Sequence, residues 1–454
     1  MKYLTCMVVV VSASAGTLVQ AGQADSKGFI EDGSLVLTNR NYYFERDYRK
    51  GERSSAGRNA FKPFSERSGK REEWVDGVQA DYKSGFTQGV VGFGLDAYSY
   101  NGFQLDSGGG RTGTMNLPVG DDGHPQDHFS KNGGVVKVRV SDTVLRYGSM
   151  TSEAPVIAAH GSRIFPATVT GLNIISNEFA NLTLDLGYFT AASGSTETTN
   201  HGKLSTTYSP YTRVNDLDVN YVDYVGGVYK LSDSLSTSLY VSNFEDVWHQ
   251  YYGNVNYTLP LNEDQALGFD FNIYKTLDSG EAKLGPINNT IWSLETKFNL
   301  SPAHSLMFAW QQVNGDTPFD FLGFGDRSSG DSIFVSNSVS WSDFNGPGEK
   351  SAQLRYDLNM KSYGVPGLTF MTRYIKGWDI DGSHAPQSSA FYQFYGDGAK
   401  HHELDIWVRY VVQSGPAAKL SFRLQHALHR ANDAQGDGNI DETRFIVDYP
   451  LNIF

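Results

Sequence analysis

The segment Leu267-Gly268-Phe269-Asp270-Phe271-Asn272-Ile273-Tyr274 alternates apolar residues with mostly polar or small ones. Successive side chains of a β-strand point to opposite faces, so its four aliphatic and phenylalanine residues share one face and the residues between them share the other. Residues 91–96 and 136–141 follow the same pattern, and in the latter Lys137 and Arg139 face away from three valines. Strands with one apolar face and one polar face that carries charge are typical of a transmembrane β-barrel.

The N-terminus predicts an exported protein. Lys2 precedes a short apolar run at residues 8–11, and small-residue cleavage signals end at Ala21 and at Ala24. We interpret residues 1–24 as a signal peptide, cleaved after Ala21 or Ala24, which removes Cys6, the single cysteine. Residues 25–454 would then form one cysteine-free barrel domain.

Composition narrows the class of protein further. The 454 residues include 60 aromatics and 48 glycines, with 39% hydrophobic residues and a net charge of −13. No later run of about 18 apolar residues occurs, so a transmembrane helix is excluded, and the acidic balance argues against a nucleic-acid partner. A soluble β-sandwich would also alternate, but the signal peptide and the aromatic excess favour an outer-membrane barrel in a Gram-negative bacterium.

Eight short turn signals give the strand number. They alternate with longer polar, Gly-rich or acidic connections, as periplasmic turns alternate with extracellular loops. With both termini in the periplasm, eight turns imply 2 × (8 + 1) = 18 antiparallel strands, and an error of one hairpin would give 16. The terminal Phe454 suits a signal for the barrel assembly machinery. The turns are residues 83–85, 141–143, 178–181, 232–234, 262–264, 301–304, 364–367 and 414–417.

Two of the long loops are apolar and are expected to fold inward. The third, about residues 151–171, contains Ala154-Pro155-Val156-Ile157-Ala158-Ala159, and the seventh, 316–331, carries Phe319, Phe321 and Phe324. Apolar loops are out of place in water, so these two should narrow the pore. The alternative is that the third loop covers a neighbouring subunit.

Strand parity places several basic residues inside the predicted barrel. Arginines of the first two and last three strands share the polar face, and these strands are neighbours once the barrel closes. They would form a basic wall that attracts carboxylates, or they would pair with lumen acids such as Asp448, Glu442 and Asp405. The candidate substrate-binding residues are Arg46, Arg71, Lys137, Arg139, Arg409, Arg423 and Arg444.

Other motifs predict neither catalysis nor a bound ion. Residues 433–440 begin like a calcium loop, but Arg444 stands where a bidentate Glu is needed, so a solvated acidic loop is expected. The adjacent His401 and His402 lack metal-ligand spacing and are expected on a surface loop. No Gly-x-Ser-x-Gly elbow occurs. We therefore expect no enzyme activity, no metal and no cofactor.

Long segments of the chain resemble the OprD family of substrate-specific outer-membrane porins. The similarity extends over essentially the whole mature chain. The segments include residues 28–32, 40–44, 84–89, 161–166, 268–274, 342–350, 363–370, 429–432 and 446–450.

The resemblance implies an 18-stranded channel, narrowed by the third and seventh loops, for facilitated diffusion of small carboxylates. The family's best-known branch takes basic amino acids and related peptides and admits carbapenem antibiotics. Its basic ladder corresponds here to Arg46, Arg71, Arg409, Arg423 and Arg444, with Gln425 where that branch can have another arginine.

The family's constriction corresponds to Arg163, Tyr208, Asp331, Ser338 and Asp343, with Phe321 and Trp341 in place of two tyrosines. The acids that would hold a substrate's cation are kept, while two hydroxyl groups are lost. This exchange favours amino acids or small peptides with less polar side chains.

Two further readings remain open. One is a porin for aromatic carboxylates of the benzoate type, which Phe321 and Trp341 favour. The other is a structural or adhesive barrel whose acidic loops bind divalent cations and lipopolysaccharide. A serine-protease activity attributed to one family member would need a histidine where this chain has Tyr188, beside Asp246 and Ser332, so catalysis is not expected.

Overall fold

The computed structural model describes residues 22–159, 161–214, 216–325 and 333–454. Most of the predicted signal peptide therefore lies outside the described residues. The described ranges contain twenty strands: β1 (Ser34–Tyr48), β2 (Lys70–Lys83), β3 (Val91–Asp106), β4 (His128–Val140), β5 (Thr143–Met150), β6 (Thr168–Phe179), β7 (Leu182–Ser193), β8 (Leu204–Thr206), β9 (Val222–Lys230), β10 (Leu235–Phe244), β11 (Trp248–Pro260), β12 (Ala266–Asp278), β13 (Asn288–Asn299), β14 (His304–Asn314), β15 (Leu322–Phe324), β16 (Lys350–Asn359), β17 (Leu368–Asp381), β18 (Asp397–Val411), β19 (Ser421–Ala431) and β20 (Ile440–Asn452).

Eighteen of these strands form one closed antiparallel barrel. Each pairs with its neighbours in the chain, with β8 and β15 left out, and the pairing of β1 with β20 closes the ring. The prediction of 18 strands is confirmed, and all eight predicted turns connect strands at one end. The described residues also form five short 3₁₀ helices, Gln23–Asp25, Gly57–Phe61, Phe64–Glu66, Ser209–Tyr211 and Met360–Tyr363. In the described ranges no helix is long and apolar enough to cross a membrane.

The predicted alternation appears as two distinct faces of the barrel wall. Val136 and Val140 are 55% and 46% exposed on the outer face, whereas Lys137 and Arg139 between them are buried. In a membrane this outer face meets lipid, which accepts apolar side chains and rejects charge. Charged and amide groups therefore collect on the inner face.

Three long loops at the other end fold into the barrel: L3 (151–167), L4 (194–221) and L7 (315–349, described except for 326–332). Ile157 of L3, Leu204 of L4 and Phe319 of L7 belong to one buried apolar cluster. L4 and L7 are joined by the β8–β15 pair, in which Phe324 stands opposite Leu204. The inward folding removes from water the apolar surface noted in the sequence.

Several sequence-based expectations need correction. L3 ends at residue 167 because β6 begins at Thr168, and the inward-folded L7 continues past 331 to 349. His401 and His402 lie in strand β18, not on a surface loop. The expected solvated loop, L9 (432–439), has Gln435 and Asn439 buried.

Candidate functional site

A cavity of about 310 Å³ opens inside the barrel between the wall and the tips of L3 and L7. No carboxylate belongs to its lining in the described part of the chain, so the surface that a solute meets is strongly basic. The lining includes five arginines, Arg40, Arg163, Arg373, Arg423 and Arg444, with Tyr42, Gln425, Trp407, Ser338 and Ser340 between them.

Strand register brings together lumen-facing arginines of β1, β2, β18, β19 and β20. We call this group the arginine wall; its members are Arg46, Arg71, Arg409, Arg423 and Arg444. Arg71 of β2 stands opposite Arg46 of β1, near the ends of those strands that carry the long loops. Gln425 stands opposite Arg444 across β19 and β20. Arg423 stands opposite Arg409, nearer the turn end. Alternate residues face the lumen, so neighbouring strands bring these guanidinium groups together although they are distant in sequence.

Most of these arginines form ion pairs with carboxylates on the same side of the barrel. Glu442 accepts hydrogen bonds from Arg46 at 2.8 and 2.9 Å and from Arg444 Nε at 2.6 Å. Asp448 accepts one from Arg40 at 2.7 Å, with Arg423 3.9 Å away. The expected pairing with lumen acids is thus present beside the basic cavity.

Asp405 completes this set of acids. It accepts a hydrogen bond from Arg373 Nε at 2.7 Å and another from Ser340 Oγ at 2.8 Å. The second bond ties the described part of L7 directly to the arginine wall. Charge-assisted bonds of this kind fix the planes of the guanidinium groups.

Phe44 packs at the centre of the arginine group. This fully buried ring has the guanidinium carbons of Arg444, Arg46 and Arg163 at 4.7, 5.2 and 5.5 Å from its centroid. An aromatic face attracts cations, so the ring keeps several positive groups close together.

L3 supplies Arg163 to the cavity. Arg163 Nε donates to Thr114 O at 3.0 Å. Its own carbonyl accepts from Arg40 Nη1 at 3.0 Å, and the Ser162 carbonyl accepts from Tyr42 at 3.0 Å. The tip of L3 is therefore fastened to β1 by backbone acceptors.

The predicted residues of L7 follow the wall beside the cavity. Ser338 Oγ donates to Asp343 at 2.6 Å, which places one carboxylate at the edge of the basic surface. Trp341 covers the Arg46 guanidinium at 4.3 Å and donates its backbone N–H to Glu403 at 2.9 Å. Asp331 and Ser332 lie outside the described residues.

Other predicted site residues lie apart from the cavity. Tyr208 donates to Asn345 at 2.8 Å, and Phe321 is 6% exposed in the apolar cluster, so its ring offers solutes little surface. Lys137 and Arg139 sit over Phe86 at the turn end of the barrel. Tyr188, which stands where a serine-protease set would need a histidine, is 46% exposed on the outer wall.

Arg373 is a cavity residue that sequence parity missed. Its lumen-facing neighbours on β17 are the apolar Met371 and Ile375, while Thr372 and Tyr374 face outward. On this part of β17 the lumen face carries apolar residues and the outer face carries Thr372 and Tyr374, which is the reverse of the usual pattern. The alternation therefore predicts, wrongly, that Arg373 faces lipid. The lumen position of Arg373 is evident only from its ion pair with Asp405 on the next strand.

Asp320 in L7 gives this region a pH dependence. Burial raises the pKa of its carboxyl from 3.8 to about 7, while backbone N–H groups such as that of Phe321, at 2.8 Å, partly offset the effect. The folded state holds the proton more tightly than the unfolded chain. The contribution of Asp320 to stability is therefore fully present below about pH 4 and is lost as the pH rises to about 7.

Asp320→Asn should remove this slope, because the amide imitates the protonated acid. We expect the variant to gain roughly 2–4 kcal/mol over the native chain at pH 8 and nothing at pH 4. Urea unfolding in lipid vesicles at both values measures the difference. Asp316→Asn, on an exposed position of the same loop, is the matched control. Equal pH slopes for the native chain and D320N would refute the argument.

Comparisons with known proteins agree with this fold. A family model described as "outer membrane porin, OprD family" matches residues 27–453. Porin D of Pseudomonas aeruginosa is 50% identical over 465 residues, with all of both chains covered. A crystal structure of P. aeruginosa OprD has a TM-score of 0.81 at 48% identity, covering 96% of this chain and 99% of that one.

A second solved structure, at lower sequence identity, is also similar to this chain. It is P. aeruginosa OpdK crystallised with vanillate, which has a TM-score of 0.78 at 30% identity and covers 94% of this chain and all of its own. The family match spans nearly the whole described barrel, and family members are passive channels, not enzymes. This chain belongs to the OprD family of outer membrane porins.

Proposed function

We propose that the channel passes amino acids or small peptides by facilitated diffusion, with the solute's carboxylate on the arginine wall. The observation that carries this proposal is the cavity with five arginines on its surface and the Ser338–Asp343 pair at its edge. A zwitterion would place its carboxylate on Arg423 and its ammonium group toward Asp343. Carbapenem antibiotics, which carry a carboxylate, would follow the same path.

L3 and L7 form the constriction in this proposal. Both loops reach the cavity, through Arg163 and Ser338 respectively, and both are anchored to the wall. A fastened loop narrows the lumen without needing to move. Selection would then depend on the fixed positions of charged groups, which act strongly in a narrow space with little water.

A porin for aromatic carboxylates is the second candidate. The cavity lining in the described ranges has Tyr42 and Trp407 but no carboxylate, which suits an anion that carries an aromatic ring. The similarity to OpdK, crystallised with vanillate, supports this reading. Phe321 contributes little to it because the ring is buried.

We propose two binding partners for the outside of the barrel from the chemistry of its exposed residues. Phe454 is 60% exposed at the end of the chain, where the barrel assembly machinery could bind it. Lipopolysaccharide would surround the extracellular half of the wall. A purely structural or adhesive barrel would instead show no single-channel conductance.

Recordings from purified protein in planar bilayers test these proposals. Block of the current by arginine or a neutral dipeptide, but not by benzoate, is expected for a channel for amino acids and peptides. Block by benzoate alone would contradict the proposal and support the aromatic-carboxylate porin. A closed pore with no conductance would support the structural barrel.

A further inference from the structure

Two buried histidines and an aspartate meet near the loop ends of β18 and β19, outside the arginine cavity. His401 and His429 are 3% and 0% exposed, and His401 Nδ1 lies 2.9 Å from His429 Nε2. Asp437 of L9 lies 3.6 Å from His401 Nδ1. One ligand atom from each of the three residues lies within 4.8 Å of the other two.

The outer nitrogen of each imidazole is already engaged. His401 Nε2 lies 2.7 Å from a carboxylate oxygen of Glu349, and His429 Nδ1 lies 2.8 Å from the carbonyl of Gly438. Both partners accept hydrogen bonds, so both outer nitrogens donate. In a neutral imidazole the other nitrogen then carries a lone pair, and Gln435 Nε2 lies 3.3 Å from that of His401. The two inner nitrogens face each other, so a cation between them, either a shared proton or a metal ion, offsets the repulsion of the lone pairs.

This arrangement is the one that metal-binding histidines show. Their second ring nitrogen almost always donates to a carboxylate or a backbone carbonyl, which fixes the tautomer and aims the other nitrogen at the ion. The third group is held in the same manner. The Asp437 carboxylate accepts from Ser342 Oγ at 2.6 Å and from Gln435 Nε2 at 3.0 Å.

We propose that His401 Nδ1, His429 Nε2 and the Asp437 carboxylate bind a transition-metal ion of the Zn²⁺ class. A tetrahedral ion with bonds of about 2.0–2.1 Å spaces its ligand atoms about 3.3 Å apart, close to the 2.9 and 3.6 Å found here. Two imidazole nitrogens favour Zn²⁺ over Mg²⁺ or Ca²⁺, which prefer oxygen ligands. Water or the Gln435 amide would complete the coordination.

The ion would fasten L9 to the barrel wall and, through L9, to L7. Trp341 Nε1 donates to the Asp437 carbonyl at 3.1 Å, and Ser342 is bonded to the carboxylate of the same residue. These two residues adjoin Ser340, which lines the arginine cavity. The site is independent of which solute the channel passes, because all its ligands lie outside the cavity lining.

Zinc titration of the full-length barrel, prepared without a polyhistidine tag and stripped with a chelator, tests the proposal. We expect one Zn²⁺ per chain, and visible absorption of tetrahedral cobalt when Co²⁺ replaces it. His429→Gln and Asp437→Asn should each weaken Zn²⁺ binding at least ten-fold. Asp437 lies on a loop, so D437N keeps the test valid if H429Q does not fold.

His402→Gln is the matched control, because His402 follows His401 directly but is exposed on the other face of β18. Its Zn²⁺ affinity should equal that of the native chain. The proposal is wrong if the native chain binds no more Zn²⁺ than H429Q and D437N, if H402Q weakens binding as much as they do, or if Mg²⁺ binds equally well.

Discussion

Replacing Arg409 and Arg423 together with alanine should lower the flux of zwitterionic amino acids at least ten-fold, without changing that of a neutral sugar. The two residues stand opposite each other on β18 and β19. Arg423 keeps 34% of its side chain exposed, with Asp448 as far as 3.9 Å away. Such guanidinium groups can accept a passing carboxylate, and hydrogen bonds between charged groups contribute about 1.5–3 kcal/mol.

Both arginines must be changed because either could substitute for the other across the strand pair. Swelling of liposomes that contain the channel measures the flux of each solute. Arg355→Ala is the control, since Arg355 lies on β16, away from β18 and β19, and donates to Asp357 at 2.7 Å. Unchanged amino-acid flux in R409A/R423A, or an equal loss in R355A, would show that the arginine wall does not select the solute.

Glu442→Gln should destabilise the barrel by about 3–5 kcal/mol, because it removes the buried negative charge that Arg46 and Arg444 face. Glu442 is 2% exposed and holds both Arg46 and Arg444. The loss of one negative charge inside the lumen should also shift the reversal potential of the channel toward anions. Urea unfolding in vesicles and bilayer recordings across a salt gradient measure the two effects.

Glu45→Gln provides the comparison for this second variant. Glu45 also pairs with a cation, Lys70 at 3.0 Å, but the two side chains are 26% and 41% exposed. Exposed ion pairs contribute about 0–1 kcal/mol, so E45Q should be nearly neutral. If E442Q and E45Q lose the same free energy of unfolding, burial does not make the ion pairs of Glu442 more stabilising than an exposed pair.

The chemistry of most lumen-facing residues could be predicted from the sequence. Arg423 and Arg444 alternate with apolar residues that face lipid, and the structure puts both on the cavity surface. Arg373 could not be found in this way, because Met371 and Ile375 give its face an apolar pattern. The contact between His401 and His429, which are 28 residues apart in the chain, could not be predicted from the sequence either. The adjacent pair His401 and His402 is typical of a surface loop.

From the sequence alone, the eight turn signals predict 18 strands, with 16 as the alternative, and the alternation predicts the lipid-facing side of those strands in which it is regular. These features are local: lipid tolerates only apolar side chains, so the alternation is written into each strand separately. Which charged side chains come into contact depends on the tertiary structure. Barrel closure brings β1 beside β20, and L3, L7 and L9 fold against that wall, so the arginine cavity and the histidine pair arise from contacts between residues distant in the chain.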